Sequence, residues 1–240
     1  MTTSGSYNVR ESHRDANAEI QRLAAQARIG WEKEKRTLSW FGLKDEMSLL
    51  ELGSGPGFVT ESLLTMLPNS PITCLEIDST LLKQAEQYLQ NKVNNRVHFI
   101  EGSVMDTRLA DNSFDFAYAR FLFQHLPDPL SAAKEIWRVL KPGGKLAIYD
   151  IDDEIFGLIH PPVPEFSSVL EKIGQAQAAR GGNRRVGRSL WRILKAAGFR
   201  NPDLEVIAAH SDNIGVEPFL PHIDPDRLLP LVKIGLMSQQ

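Results

Sequence analysis

The chain has 240 residues, 42% of them hydrophobic and 24% charged, with a net charge of −3, so it can bury the core of one domain with added helices, and neither disorder nor a nucleic-acid-coating basic surface fits. A single cysteine, Cys74, excludes an internal disulfide framework and a cysteine-built zinc site, and suits a reducing cytosol. The polar start lacks the order of a signal peptide and no apolar run approaches the roughly 18 residues of a membrane span, which leads to the expectation of a cytoplasmic protein with no membrane and no nucleic acid among its partners.

In chain order, residues 11–41 read as helices, because Ile20, Leu23, Ala24 and Ala27 recur at three- and four-residue steps, with Gly30 separating two of them. An apolar run over 48–52 then ends in a glycine cluster, the punctuation of a strand entering a helix. Further strands are predicted over 72–77, 96–101, 114–119 and 145–151, and helices over 58–66, 79–91 and 130–140, the alternation a parallel sheet requires. A proline-rich stretch over 155–164 precedes helical spacing at Phe166, Val169, Leu170 and Ile173, read as an insertion over the sheet's carboxyl edge. A short helix over 189–197 closes at Gly198, a strand is predicted over 204–209, and the tail from Ile223 reads as a helix with Asp224 as cap and Pro225 in its first turn.

The fold class is therefore α/β: a doubly wound, mostly parallel sheet with added N-terminal helices and a helical insertion after the fifth strand. The expected divisions are a helical lid over 1–45, a ligand-binding core over 46–152, and a substrate-covering insertion with the rest of the same domain over 153–240. No second strand with convincing alternation follows 204–209, and Pro218, Pro221, Pro225 and Pro230 argue against one. An unpaired edge of this kind favours association with a second copy, a homodimer.

The segment LLELGSGPGFVT, residues 49–60, carries the strongest chemical signal: an apolar strand runs into Gly53, Gly55 and Gly57 and then a helix. Glycines there let bare backbone approach a ligand. A dinucleotide fingerprint needs its third glycine where Phe58 stands, so a pyrophosphate cradle is disfavoured. In CLEIDST, Glu76 closes the next strand about 20 residues later, where a carboxylate accepts from both hydroxyls of a ribose. Asp78 competes for that role, but two residues on it suits a helix cap, with Ser79 as its rival there. Together the loop and the carboxylate imply a nucleoside.

With these residues in view, the chain resembles the class I S-adenosylmethionine-dependent methyltransferases over about residues 49–151, with echoes to Phe199. LELGSGPG is similar to their first motif and LEID to their ribose-binding strand end. DNSFDFAYARFLFQHLPDP and EIWRVLKPGGKLAIYD are similar to their fourth strand and the passage into the fifth, and GRSLWRILKAAGF to the helix before their sixth. The resemblance implies S-adenosylmethionine as cofactor and methyl transfer to a small-molecule acceptor. It implies Glu51 and the backbone of Gly53, Gly55 and Gly57 around the methionine part, and Glu76 on the ribose. Where such enzymes often place an adenine-binding aspartate this chain has Gly102-Ser103-Val104, leaving the Ser103 hydroxyl, the Val104 amide or Asp106 for that contact. Arg120 follows the fourth strand, near the methionine end. Arg22 and Gln26, one turn apart on a lid helix, would reach the methionine carboxylate.

An in-line displacement on a sulfonium needs alignment above all, and a base only for a protonated acceptor. His125, His160, Asp150 and Asp152 are the candidates near the carboxyl edge, although a histidine in the apolar run FLFQHL is more often a packed core residue. Arg180, Arg184, Arg185 and Arg188 form a cluster suited to an acidic substrate, with Phe156, Phe166 and Trp191 nearby. The competing readings are a nonenzymatic binder of S-adenosylmethionine and a nicotinamide-dependent oxidoreductase. RNA methylation would require a basic groove, against the acidic balance.

Overall fold

In the computed structural model, which describes residues 5–7, 16–93, 95–155 and 159–238, the sheet grows outward from β1 (Leu49–Leu52). All four of its side chains are buried, as expected of an interior parallel strand covered on both faces. It pairs in parallel with β2 (Ile72–Glu76) on one side and β4 (Phe114–Arg120) on the other, while β3 (Val97–Glu101) extends the first side and β5 (Leu140–Tyr149) the second, giving the order β3-β2-β1-β4-β5. The β4–β5 register shifts between Phe114 and Phe116.

Strand alternation sorts the core into two layers. Leu50, Leu52, Leu75, Ala117 and Ala119 face α5 (Pro129–Val139), which answers with Ala132, Ala133, Ile136 and Val139 at helical spacing, and behind it Leu190 and Ile193 of α7 (Gly187–Ala197). On the other face Leu49, Ile72, Cys74, Phe116 and Tyr118 meet Leu63 and Leu64 of α3 (Phe58–Met66) and Leu38 of an N-terminal helix. Each buried leucine, isoleucine, valine or phenylalanine here contributes about 1.5–3 kcal/mol. Because α3 leaves β1 toward one face and α5 leaves β4 toward the other, their loops diverge, and a crevice opens at the carboxyl ends of the two central strands.

The helices predicted at the N-terminus are α1 (Ala16–Arg28) and α2 (Trp31–Trp40), and Gly30, at φ 76°, makes the left-handed break between them. Arg120 at the end of β4 ties both to the sheet. Its Nε donates to both oxygens of Glu34 at 3.1 and 3.0 Å, and its Nη2 to the carbonyls of Gln26 and Ile29 at 3.0 and 3.2 Å. Both charged side chains are buried. Between β2 and β3 runs α4 (Ser79–Leu89), and α6 (Pro164–Ala178) supplies the insertion after β5. In the C-terminal segment, the single turn Glu217–His222 lies against α1.

The strand predicted over 204–209 is corrected. That stretch has no ladder partner; Leu204 and Val206 are 69% and 65% exposed, and Lys33 Nζ donates to the Ala208 carbonyl at 2.6 Å. A strand exists only through its partners, and β5 is the sheet's last strand. A groove of about 500 Å³ between residues 205–208 and Lys33, Arg36, Thr37 and Trp40 marks where no ladder has formed. No helix among the described residues is long and apolar enough to cross a membrane.

Breaking a buried pair by deleting one partner strands the other charge. Arg120→Ala should therefore destabilise the fold by about 3 kcal/mol or more, measured as a lower urea midpoint; an unchanged midpoint would show that the pair does not hold the N-terminal helices down.

Candidate functional site

Three glycines with positive φ, Gly53, Gly55 and Gly57 at 66°, 56° and 86°, carry the chain from β1 into α3. Two have separable reasons to lack a side chain. A Cβ on Gly57 would press on Leu89 and Ala85 of α4 at 3.0 and 3.1 Å, so this glycine serves helix packing. A Cβ on Gly55 would meet nothing within 4 Å, so its bare face opens on the crevice, as a close-approaching ligand requires. The helix starts directly after Gly57, and at position 58 the Phe ring packs edge-on against Tyr88, which leaves no place for the third glycine of a dinucleotide loop.

Glu76 caps this loop from the neighbouring strand. Its Oε2 accepts from Gly55 N at 2.8 Å and its Oε1 from Asp78 N at 2.9 Å. Each oxygen keeps a lone pair, and burial pushes its pKa upward. Asp78 is the α4 cap, accepting from Thr80 N and Leu81 N at 2.8 and 3.3 Å, which separates the two acidic roles.

Glu51, 3% exposed, lies behind the loop in one sheet row with Cys74 and Tyr118. Its Oε2 accepts from Thr60 Oγ1 at 2.7 Å, and the Cys74 thiol stands 3.7 Å away. Burial pushes the Glu51 carboxyl up to about 7 and raises the Cys74 thiol as well. Tyr118 OH and Ser54 Oγ are enclosed with no hydrogen-bond partner.

After β3 the turn closes on itself: Ser103 Oγ accepts from Met105 N at 3.2 Å, and Ser103 O from Asp106 N. The Val104 side chain is buried in the core beside Leu75. Asp106 turns outward and pairs with Arg108 at 3.6 Å, both exposed.

The lid residues lie differently from the sequence expectation. Arg22 is buried and forks onto Glu19, Nε to Oε2 at 2.8 Å and Nη2 to Oε1 at 2.7 Å, and Tyr7 OH donates to the same carboxylate. Gln26 contributes its carbonyl to Arg120, whose guanidinium is held by Glu34 and by the rings of Phe121 and Tyr149.

His125 and His160 are not brought together. His125 Nδ1 receives the Gln177 amide at 3.3 Å and faces Ser6 Oγ at 3.0 Å, and burial pushes its pKa down to about 3. With Nδ1 accepting, the proton sits on Nε2, and the ring is a weak base. His160 is exposed on the loop before α6. Asp150, at the end of β5, accepts from Ile151 N and Gln124 N at 2.9 and 3.2 Å, and burial pushes it up to about 7. Arg188 holds Asp152 below its usual range.

Three of the four arginines in the cluster are paired with acids. Arg184 pairs with Asp153 at 2.9 Å, Arg188 with Asp152 at 2.6 Å and Glu154 at 2.8 Å, and Arg185 with Glu154 at 3.4 Å. The acidic run just after β5 absorbs these charges. Of the aromatic neighbours, Phe166 is half-buried, Trp191 is exposed, and Phe156 lies outside the described residues. Sequence reasoning missed Glu19, Glu34, Thr60, His222 and Arg227. Glu19 alone left a local trace, three residues before Arg22 on one helix face.

Residues 50–148 match the family model described as a methyltransferase domain. The chain is 23% identical over 184 residues to the ubiquinone/menaquinone biosynthesis C-methyltransferase UbiE of Cronobacter sakazakii, covering 75% of this chain and 70% of that protein. It is 31% identical over 110 residues to the sterol 24-C-methyltransferase erg6 of Aspergillus fumigatus, 45% of this chain and 29% of that enzyme's length. A crystal structure of a SAM-dependent methyltransferase from Aquifex aeolicus matches with a TM-score of 0.56 at 26% identity, covering 72% of this chain and 83% of the other. The loop, the paired carboxylate and these likenesses agree: residues 50–148 carry a methyltransferase domain, similar in fold to the class I S-adenosylmethionine-dependent methyltransferases.

Proposed function

We propose that this chain holds S-adenosylmethionine across the glycine loop and Glu76 and transfers its methyl group to a small-molecule acceptor. The observation that carries the reading is the Gly55–Glu76 contact at 2.8 Å, which sets an open stretch of main chain and a hydrogen-bonding carboxylate side by side at the topological switch point. Relatives whose names specify quinone biosynthesis and sterol methylation support a small organic acceptor. The chain's slight net negative charge speaks against a nucleic acid.

The cofactor, when bound, supplies a methyl already activated by its sulfonium. The protein's part is placement. Glu76 would accept from the ribose hydroxyls, and the open main chain around Gly55 would take the methionine end. Glu51, buried behind the loop, would face the methionine end, where a cationic ammonium would favour its ionised form. The α1–α2 pair, pinned by Arg120, closes the crevice and keeps water out. Where the acceptor arrives protonated, Asp150 is a better base than His125, because its pKa of about 7 matches the task and that of His125, about 3, does not.

Two measurements test this. Glu76→Ala should weaken S-adenosylhomocysteine binding by about 1.5–3 kcal/mol, the worth of a charge-assisted hydrogen bond; unchanged affinity by calorimetric titration would reject the ribose assignment. The second concerns pH. Glu51 ionises near 4.5 when unfolded and near 7 when folded, so between these values the folded state keeps a proton that the unfolded state has released, and stability falls as pH rises through that window. Compared with Glu51→Gln, the wild type should lose up to about 3 kcal/mol between the two. Parallel urea unfolding of both proteins at acidic and mildly alkaline pH reads the difference; a constant gap would mean that Glu51 is ionised throughout.

A further inference from the structure

Beside the cofactor crevice, the inner face of α1 meets the C-terminal segment and the turn after β4, and charges collect there that do not balance. Arg22 and Glu19 form a closed pair, 6% and 1% exposed, joined by Tyr7. Arg120 is matched by Glu34, and Arg184 by Asp153. Arg227 is matched by no carboxylate among the described residues. Its Nη1 donates to the His222 carbonyl at 2.6 Å, a neutral group, while its Nε is enclosed with no partner. The Nε2 of His222 is enclosed and unpartnered too. Burial and the nearby Arg22 push the Arg227 guanidinium down to about 10, which leaves it charged near neutrality. The same surroundings push His222 to about 3, so it stays neutral and adds no charge. His125 is neutral for the same reason.

Among the described residues the Arg22 and Arg227 guanidiniums thus share the Glu19 carboxylate, which leaves net positive charge there and two idle polar atoms. Arg227 is half-buried, its enclosed Nε is costly to leave unpaired, and perturbed charged groups of this kind cluster at ligand sites. One planar monoanion would supply the missing partner, because a carboxylate takes the fork of a guanidinium. We propose that the methyl acceptor carries a carboxylate, bound by Arg227 and His222 of the C-terminal segment beside Arg22. Calling the ligand the acceptor rests on the methyl-transfer reading above; the anion site itself does not. Arg22 already has Glu19, so Arg227 is the cation left for a second molecule. Since both idle atoms are enclosed, the segment around residues 217–228 gives way on α1 as the carboxylate enters.

The test uses the full chain with Arg227→Met, which keeps the aliphatic stem, and Arg227→Lys, which keeps the charge. Benzoate and acetate are titrated against their neutral counterparts benzamide and acetamide by NMR, with and without saturating S-adenosylhomocysteine. The wild type should bind each carboxylate at least about tenfold tighter than its amide, with a shift of the Arg227 Nε–H resonance. Arg227→Met should erase that preference and Arg227→Lys retain part of it, both holding S-adenosylhomocysteine within about twofold of wild type. Free Arg227→Met should also melt about 2 °C higher or more, because an unpaired charge has gone. Equal binding of carboxylate and amide overturns the proposal, and so does a lower melting temperature for Arg227→Met, which would make Arg227 a structural residue. A fall of about tenfold in S-adenosylhomocysteine affinity overturns it as well, by assigning the anion to the cofactor. Should the wild type fail to bind S-adenosylhomocysteine, the methyl-transfer reading falls, and the titrations without cofactor still decide whether an anion site exists.

Discussion

A carboxylate taken out of water to hold two main-chain amides is the constraint on which the rest of the site depends. Glu76 reaches from β2 to Gly55 and to Asp78, and so fixes the loop after β1 relative to the start of α4. The parallel register supplies the reach, since Leu52 stands opposite Leu75 and the next residues are the loop and the acid. A loop of three left-handed glycines has many conformations when free, and one charged acceptor at its centre selects among them. Burial raises the energy of that charge, and hydrogen bonds from main-chain amides lower it again.

The lid follows a related rule on a larger scale. α1 and α2 do not settle on the sheet by apolar contact alone; Glu34, Arg120, Glu19 and Arg22 are all taken inside. Ion pairs of this kind contribute little net stability, yet they penalise misplacement heavily. They therefore set where the helices rest and hence the shape of the space beneath them. The same burial separates the candidate bases: Asp150 rises toward neutrality, His125 becomes a hydrogen-bonding core residue, and Asp152 is neutralised by Arg188.

The sheet and its helices were legible because their signals are local. Phe58–Met66 begins at the residue the glycines dictate, and Pro129–Val139 shows its cap, its proline and its apolar stripe within a dozen residues. The glycine loop and Glu76 were legible for the same reason, a short spacing with a mechanical cause. What the sequence hid was long-range pairing. The four arginines around Gly181 looked like a binding surface, but whether a guanidinium is free depends on what folds against it, here the run of acids some 30 residues earlier. Residues 204–209 alternate like a strand, yet alternation cannot supply the neighbour that a ladder needs. Arg227 and His222 lie in a tail whose prolines directed attention to its turns, and nothing in their spacing tells that they meet α1.

Cys74 shows a different effect of the buried row behind the glycine loop. A bound sulfonium is an alkylating reagent, and a thiolate is the softest nucleophile a protein offers it. The chain's single cysteine lies behind the loop proposed to hold that reagent, but burial and the neighbouring Glu51 raise its pKa and favour the less nucleophilic thiol. The fold that presents an electrophile to other molecules thus shields its own sulfur from self-modification.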